Sequence, residues 1–127
     1  MNIRHSNAPD APPPVGQYSH AVEDTGATRT VYLSGQVGTA RDGSVPEDAL
    51  TQARNVWANI EAQLRAVGMT FDNVVKIVTI ITSLDHLAAN RTARGEALGE
   101  RKPASTLVVG GLVSPAYKIE IEAVAVA

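Results

Sequence analysis

Cysteine is absent from the 127-residue chain, which excludes disulfides, thiol nucleophiles and cysteine-ligated metal sites outright. Aromatic residues are few: Tyr18, Tyr32, Trp57, Phe71 and Tyr117. The core must therefore be built from Val, Ile, Leu and Ala, and little is left to stack against sugar rings or bases. No apolar run approaches the roughly 20 residues of a membrane span, and the N-terminus lacks the charged-then-apolar pattern of a secretory signal. The charge balance, −2 from 11 basic and 13 acidic residues, offers no general attraction for nucleic acid or anionic lipid. A cytoplasmic protein with no nucleic-acid and no membrane partner is expected. There is no P-loop, dinucleotide fingerprint or G-x-S-x-G elbow. His5, His20 and His86 match no metal-ligand spacing, so neither a metal nor a cofactor is expected.

What is present suits one domain over residues 1–127, with 44% hydrophobic residues to fill a single core. A small aliphatic domain often completes its burial by self-association, and a homo-oligomer is expected. Residues 1–16 are polar and proline-rich, with Pro9 and Pro12-Pro13-Pro14, and should lie extended or flexible, without regular structure for most of their length. Gln17–Val22 reads as a short strand, followed by a turn around Asp24-Thr25-Gly26. Arg29–Val37 is a clear strand, and Asp42-Gly43 marks a tight turn after it. Ser44-Val45-Pro46-Glu47 has the form of a capping box, predicting a helix to about Val67. Its apolar stripe is Leu50, Ala53, Val56, Trp57, Ile60, Leu64 and Val67, with Gln52, Asn55, Asn59, Gln63 and Arg65 largely off it.

Asn73–Thr82 is apolar on both faces and β-branched, as expected of a central strand covered on each side. A second helix runs from Ser83 to about Leu98, stopped by Gly99. Two strands close the chain, Ser105–Leu112 and Lys118–Val126. The order β-β-α-β-α-β-β predicts an α+β two-layer sandwich, a mixed sheet with two helices on one face.

The last strand carries the sharpest chemical signal. Its side chains alternate, so Ile119, Ile121, Ala123 and Ala125 face one way, and Glu120, Glu122, Val124 and Val126 the other. A carboxylate sharing a face with valines is a candidate for proton exchange with a substrate, although a wet end of an edge strand accounts for such residues as well. Arg91 and Arg94, three apart, could clamp an anion; a solvated helix face is the commoner explanation.

Several segments, taken together, resemble the Rid/YjgF family, the reactive intermediate deaminases once called L-PSP endoribonucleases. They are Gly16-Gln17-Tyr18, Ser34-Gly35-Gln36-Val37-Gly38, Gln52 to Gly68, Asn73-Val74-Val75-Lys76, Asn90, Pro103-Ala104 and Lys118-Ile119-Glu120-Ile121-Glu122-Ala123. The resemblance implies a chorismate-mutase-like fold and a homotrimer with small-molecule sites in clefts between subunits. It implies hydrolysis of imines and enamines to ketones and ammonia, with Glu120 holding and activating the water. Tyr18, Ser34, Gly35, Asn90, Ser105 and Thr106 would bind the substrate.

The chain also departs from the family pattern. Family deaminases carry an Arg after Pro-Ala that clamps the substrate carboxylate; here that position is Ser105, and Ala93 stands where members often have an aromatic. The resemblance then implies a deaminase of shifted specificity, with Arg101 or Lys102 as candidate replacement cations. The alternative is a non-catalytic trimeric binding or regulatory protein of the same fold. An endoribonuclease is the third reading, disfavoured by the acidic balance.

Overall fold

The computed structural model describes residues 1–127. The strands are β1 (Asn2–Ser6), β2 (Ala21–Thr25), β3 (Thr30–Val37), β4 (Val74–Ile81), β5 (Ala104–Val109) and β6 (Ile119–Val126); the helices are α1 (Ala49–Ala66) and α2 (Leu87–Leu98). β1 and β2 form a small antiparallel pair, and the other four make a sheet in the order β3-β6-β4-β5. Only β4 and β5 run parallel, joined through α2, as a crossover connection requires. The expected α+β sheet-and-helix architecture is thus the one observed, and β6 is an interior strand, not an edge.

Both helices cover one face of the sheet. Ala53, Val56, Trp57, Ile60 and Leu64 of α1, with Ala93 and Leu98 of α2, pack on Ile77, Ile81, Ile119, Ile121, Ala123 and Ala125. Removing Ile60, Leu64, Ile77 or Ile121 from water stabilises the fold by about 1.5–3 kcal/mol each. The opposite face has no covering layer in a single chain. There Tyr32 is 79% exposed, and Lys76, Val78, Ile80, Glu120 and Val124 are only half-buried. The two-sided apolar pattern of β4 therefore finds one layer within the chain and leaves the other face open.

Four local readings are corrected. The strand expected at Gln17–Val22 starts only at Ala21 and pairs with Asn2–Ser6, while residues 7–16 carry no helix or strand. The cap of α1 is Asp48, not Ser44. Ser44 donates its hydroxyl back to Asp42 (2.7 Å), whereas Asp48 Oδ2 accepts from the Thr51 hydroxyl (2.7 Å) and amide (2.9 Å). These bonds, the hydroxyl's first, hold the Asp48 carboxyl below its ordinary range. Val67, placed on the apolar stripe, is the exposed C-cap.

Gln52, placed off the stripe, is fully buried. Its Nε2 donates to the carbonyls of Pro46 (2.6 Å) and Ala116 (2.9 Å), and its Oε1 accepts from the Lys118 amide (2.9 Å). One side chain thereby fixes the start of α1 to the entry of β6. Helix and strand also meet at Gly38, where a Cβ would lie 2.5 Å from Gln52 Cβ and 2.7 Å from its Cα. Asn55 and Asn59 donate to the carbonyls of Gly38 (3.1 Å), Val37 (3.0 Å) and Thr39 (3.0 Å), so the polar side of α1 grips the end of β3.

Candidate functional site

The site residues fall into two groups on opposite faces of the sheet. The first lies on the open face. Between Leu33 and Gln36 the register of β3 against β6 slips, so Ser34 and Gly35 together oppose the single residue Glu122. Such a bulge bends the strand and re-aims what it carries. It brings Gly35 under the Glu120 side chain: a Cβ there would lie 2.7 Å from Glu120 Cδ and 3.0 Å from Oε1. Gly35, Val78, Ile80, Glu120 and Glu122 line a cavity of about 150 Å³. The Glu120 carboxylate thus rests on bare backbone, walled by two aliphatic side chains, with no cation paired to it. Ser34 is exposed, its carbonyl accepting from Gln36 Nε2 (3.0 Å). Thr106 shares this face two strands away, accepting from Lys76 Nζ (3.1 Å).

The second group lies at the start of β5. Ser105 is level with Ile77 and so points toward the helices. Its hydroxyl donates to the Pro103 carbonyl (3.0 Å) and accepts from Arg94 Nη1 (3.1 Å). The segment through Tyr18 and Ser19 runs beside β5, with Ser19 bridged to Ala104. The Tyr18 hydroxyl accepts from the Val15 amide (3.3 Å), and its ring meets His20 edge to face. Asn90, one turn before Arg94 on α2, is buried, and its Oδ1 has no donor within the chain. An orphaned buried acceptor costs on the order of 1–3 kcal/mol, which suits a group kept for a ligand better than one kept for stability.

A single protomer does not bring the two groups together. Glu120 is paired with Ile80, whereas Ser105 is paired with Ile77, and β4 stands between their strands. Three residues along and two strand spacings across amount to roughly 14 Å, with the side chains on opposite faces. Of the cations expected to stand in for the family Arg, Arg101 is committed to Asp72 (2.7 Å) and to the Leu98 carbonyl (3.2 Å). Lys102 is exposed, on a separate cavity beside β1. Arg94, for which the sequence leaves both an anion clamp and the commoner solvated helix face open, is half-buried. A polar side chain at a helical position gives no sequence signal of that burial.

The chain matches the family model described as Endoribonuclease L-PSP over residues 8–127. It is 31% identical over 118 residues to a 2-iminobutanoate/2-iminopropanoate deaminase from Capra hircus, covering 91% of this chain and 84% of that protein. A solved protein of unknown function of the Rid family from Yersinia pestis superposes with a TM-score of 0.85 at 34% identity, covering 100% of each chain. RidA from an Antarctic Psychrobacter gives 0.73 at 30% identity, covering 98% of this chain and 99% of that one. No helix is long and apolar enough to cross a membrane.

Proposed function

The chain belongs to the endoribonuclease L-PSP family, which includes the Rid/YjgF proteins, and from that premise we propose that it is a hydrolytic deaminase of reactive imines or enamines with a shifted substrate range. The observation that carries this reading is Glu120 laid over Gly35 in a small half-apolar cavity. A carboxylate there can take a proton from a water as the water oxygen bonds to the imine carbon. It returns that proton to nitrogen to give the carbinolamine, then carries the carbinolamine's hydroxyl proton to nitrogen as the C–N bond breaks, leaving a ketone or aldehyde and ammonia. An enamine enters the same sequence after protonation at carbon.

The reading extends to assembly: a cytoplasmic homotrimer, with each site in the cleft between two protomers. The uncovered sheet face, with Tyr32, Val78, Ile80 and Val124, supplies the surface for it. The separation of Glu120, Ser34 and Gly35 from Tyr18, Asn90 and Ser105 supports it independently. One protomer would offer the carboxylate and its neighbour the orienting groups. Thr106, on the open face, joins the first set.

Ammonia release from imines generated in situ tests the activity, with free imine hydrolysis as the background. A rate above background is expected. Thermal stabilisation by small ketones or amines without ammonia release would favour the binding-protein alternative, which Ser105 supports. The floor of the site can be tested separately. In Gly35→Ala the new methyl displaces the Glu120 carboxylate, and turnover is expected to fall about 10- to 100-fold. What must move is the end of a flexible side chain, so the thermal midpoint should hardly change. A large loss of stability with normal turnover per folded molecule would contradict this placement.

A further inference from the structure

One guanidinium in the chain is set apart from the rest. Arg4, Arg54, Arg65 and Arg101 each face a carboxylate, and Arg29, Arg41 and Arg91 are exposed to solvent. Arg94 is half-buried and faces none. It reaches only neutral acceptors, the Ser105 hydroxyl and the Gln17 carbonyl. Sheltering a cation without a counter-charge is unfavourable, and burial pushes the Arg94 guanidinium below its ordinary range. Of its five N–H groups two are used, which leaves the Nε–H and one on each terminal nitrogen. Beside it opens a cavity of about 250 Å³ bounded by Gly16, Gln17, Arg91, Arg94, Gly95 and Gly99. That is room for a small organic acid, lined by two cations and by glycines that put no side chain in the way.

We infer that Arg94 is the carboxylate-recognising residue of this protein, so that its substrates are small 2-imino acids whose anionic end is held from α2 and not from β5. The inference rests on the deaminase reading, narrows its substrates to small 2-imino acids, and puts the departure in which element holds the carboxylate, not in the class of substrate. Ser105 becomes a positioning residue. Its hydroxyl, anchored on the Pro103 carbonyl, accepts from Nη1 and fixes the plane of the guanidinium fork, which can then meet a planar carboxylate in two parallel bonds. Arg91, exposed one turn away, adds positive potential at the mouth. A serine at position 105 then leaves the site with a cation supplied by a different element.

Pyruvate and its neutral counterpart pyruvamide, titrated into the full-length protein and followed by NMR, separate charge recognition from general binding. Turnover of 2-iminopropanoate generated by an amino-acid oxidase is measured in parallel. Arg94→Gln is expected to weaken pyruvate binding about 30-fold or more while pyruvamide binding holds, with KM for the imine rising and kcat changing less. Arg94→Lys should recover part of the loss, and Ser105→Ala should produce a smaller one. Unchanged pyruvate affinity in Arg94→Gln overturns the inference, as does an equal loss for pyruvamide or no wild-type pyruvate binding at millimolar concentration. If pyruvate binding depends on Arg94 but no imine releases ammonia faster than background, the subsite stands and the deaminase reading fails. Melting curves of each variant separate misfolding from lost contacts.

Discussion

Glu120→Gln is expected to reduce imine turnover by about 10²–10⁴-fold, the usual contribution of a positioned acid–base group, without altering the fold. The amide keeps the shape of the carboxylate, so the fit over Gly35 survives. It cannot accept a proton from water, and that is the function assigned to the position. The substitution also removes one of two adjacent uncompensated carboxylates, Glu120 and Glu122, so stability should stay level or rise slightly. Steady-state ammonia release and a thermal melt on the same preparation give both readings. Turnover within a factor of a few of wild type would remove Glu120 from the chemistry. Glu122 supplies an internal control. It is exposed, opposite the bulge, and Glu122→Gln should change turnover far less.

Gln52→Leu should be the most destabilising of the conservative substitutions, costing about 3 kcal/mol or more. Leucine nearly matches glutamine in size and is ordinarily at home in a buried helical position. Here it would strand three backbone groups at once: the Lys118 amide and the carbonyls of Pro46 and Ala116. Each unsatisfied buried group costs on the order of 1–3 kcal/mol, and part is recovered as the loop admits water. Function should suffer too, because Lys118 immediately precedes β6 and sets the register in which Glu120 reaches Gly35. Urea denaturation measures the loss. A variant as stable as wild type would show that the link between α1 and β6 is not held by this side chain.

Elements with a long, regular period were legible in the sequence. The stripe of α1, the β-branched run of β4 and the alternation of β6 each repeat over several turns or pairs, and the alternation put Glu120 on the face where it is found. Features that depend on one atom-to-atom contact were not. Nothing in Ser34-Gly35 announces a bulge, since one unpaired residue leaves no periodic trace. Gln52 looked like surface because two of its three backbone partners, Ala116 and Lys118, are distant in sequence, and the third, Pro46, lies in the irregular stretch before the helix. Ser44 and Asp48 are both good caps. The choice went to Asp48 because the Ser44 hydroxyl is used by Asp42 and the Pro46 carbonyl by Gln52. The Asp-x-x-Thr spacing from Asp48 to Thr51 was the signal available. β1 was missed because Asn2–Ser6 is short and polar, and its only partner is β2.

Of the candidate site, the glutamate was visible and its surroundings were not. Tyr18, Asn90 and Ser105 gather near Arg94 on the helix side, while Ser34, Gly35 and Glu120 gather on the other, and no local pattern reports a division of that kind. Arg94 showed only as one of two cations on a weak helix. Its burial comes from Gln17 and Ser105 approaching from other elements, so no periodicity within α2 could reveal it.

Subunit mixing is the most direct measurement of whether two protomers build each site. One protomer carries Glu120→Gln and the other the pair Tyr18→Ala and Asn90→Ala; they bear different tags, are co-expressed and are purified through both. Each variant alone should be nearly inactive. In a homotrimer that carries both tags one cleft in three joins two intact halves, so the mixture should recover activity on that order. Mixed oligomers as inactive as their parents would mean that each site is complete within one chain.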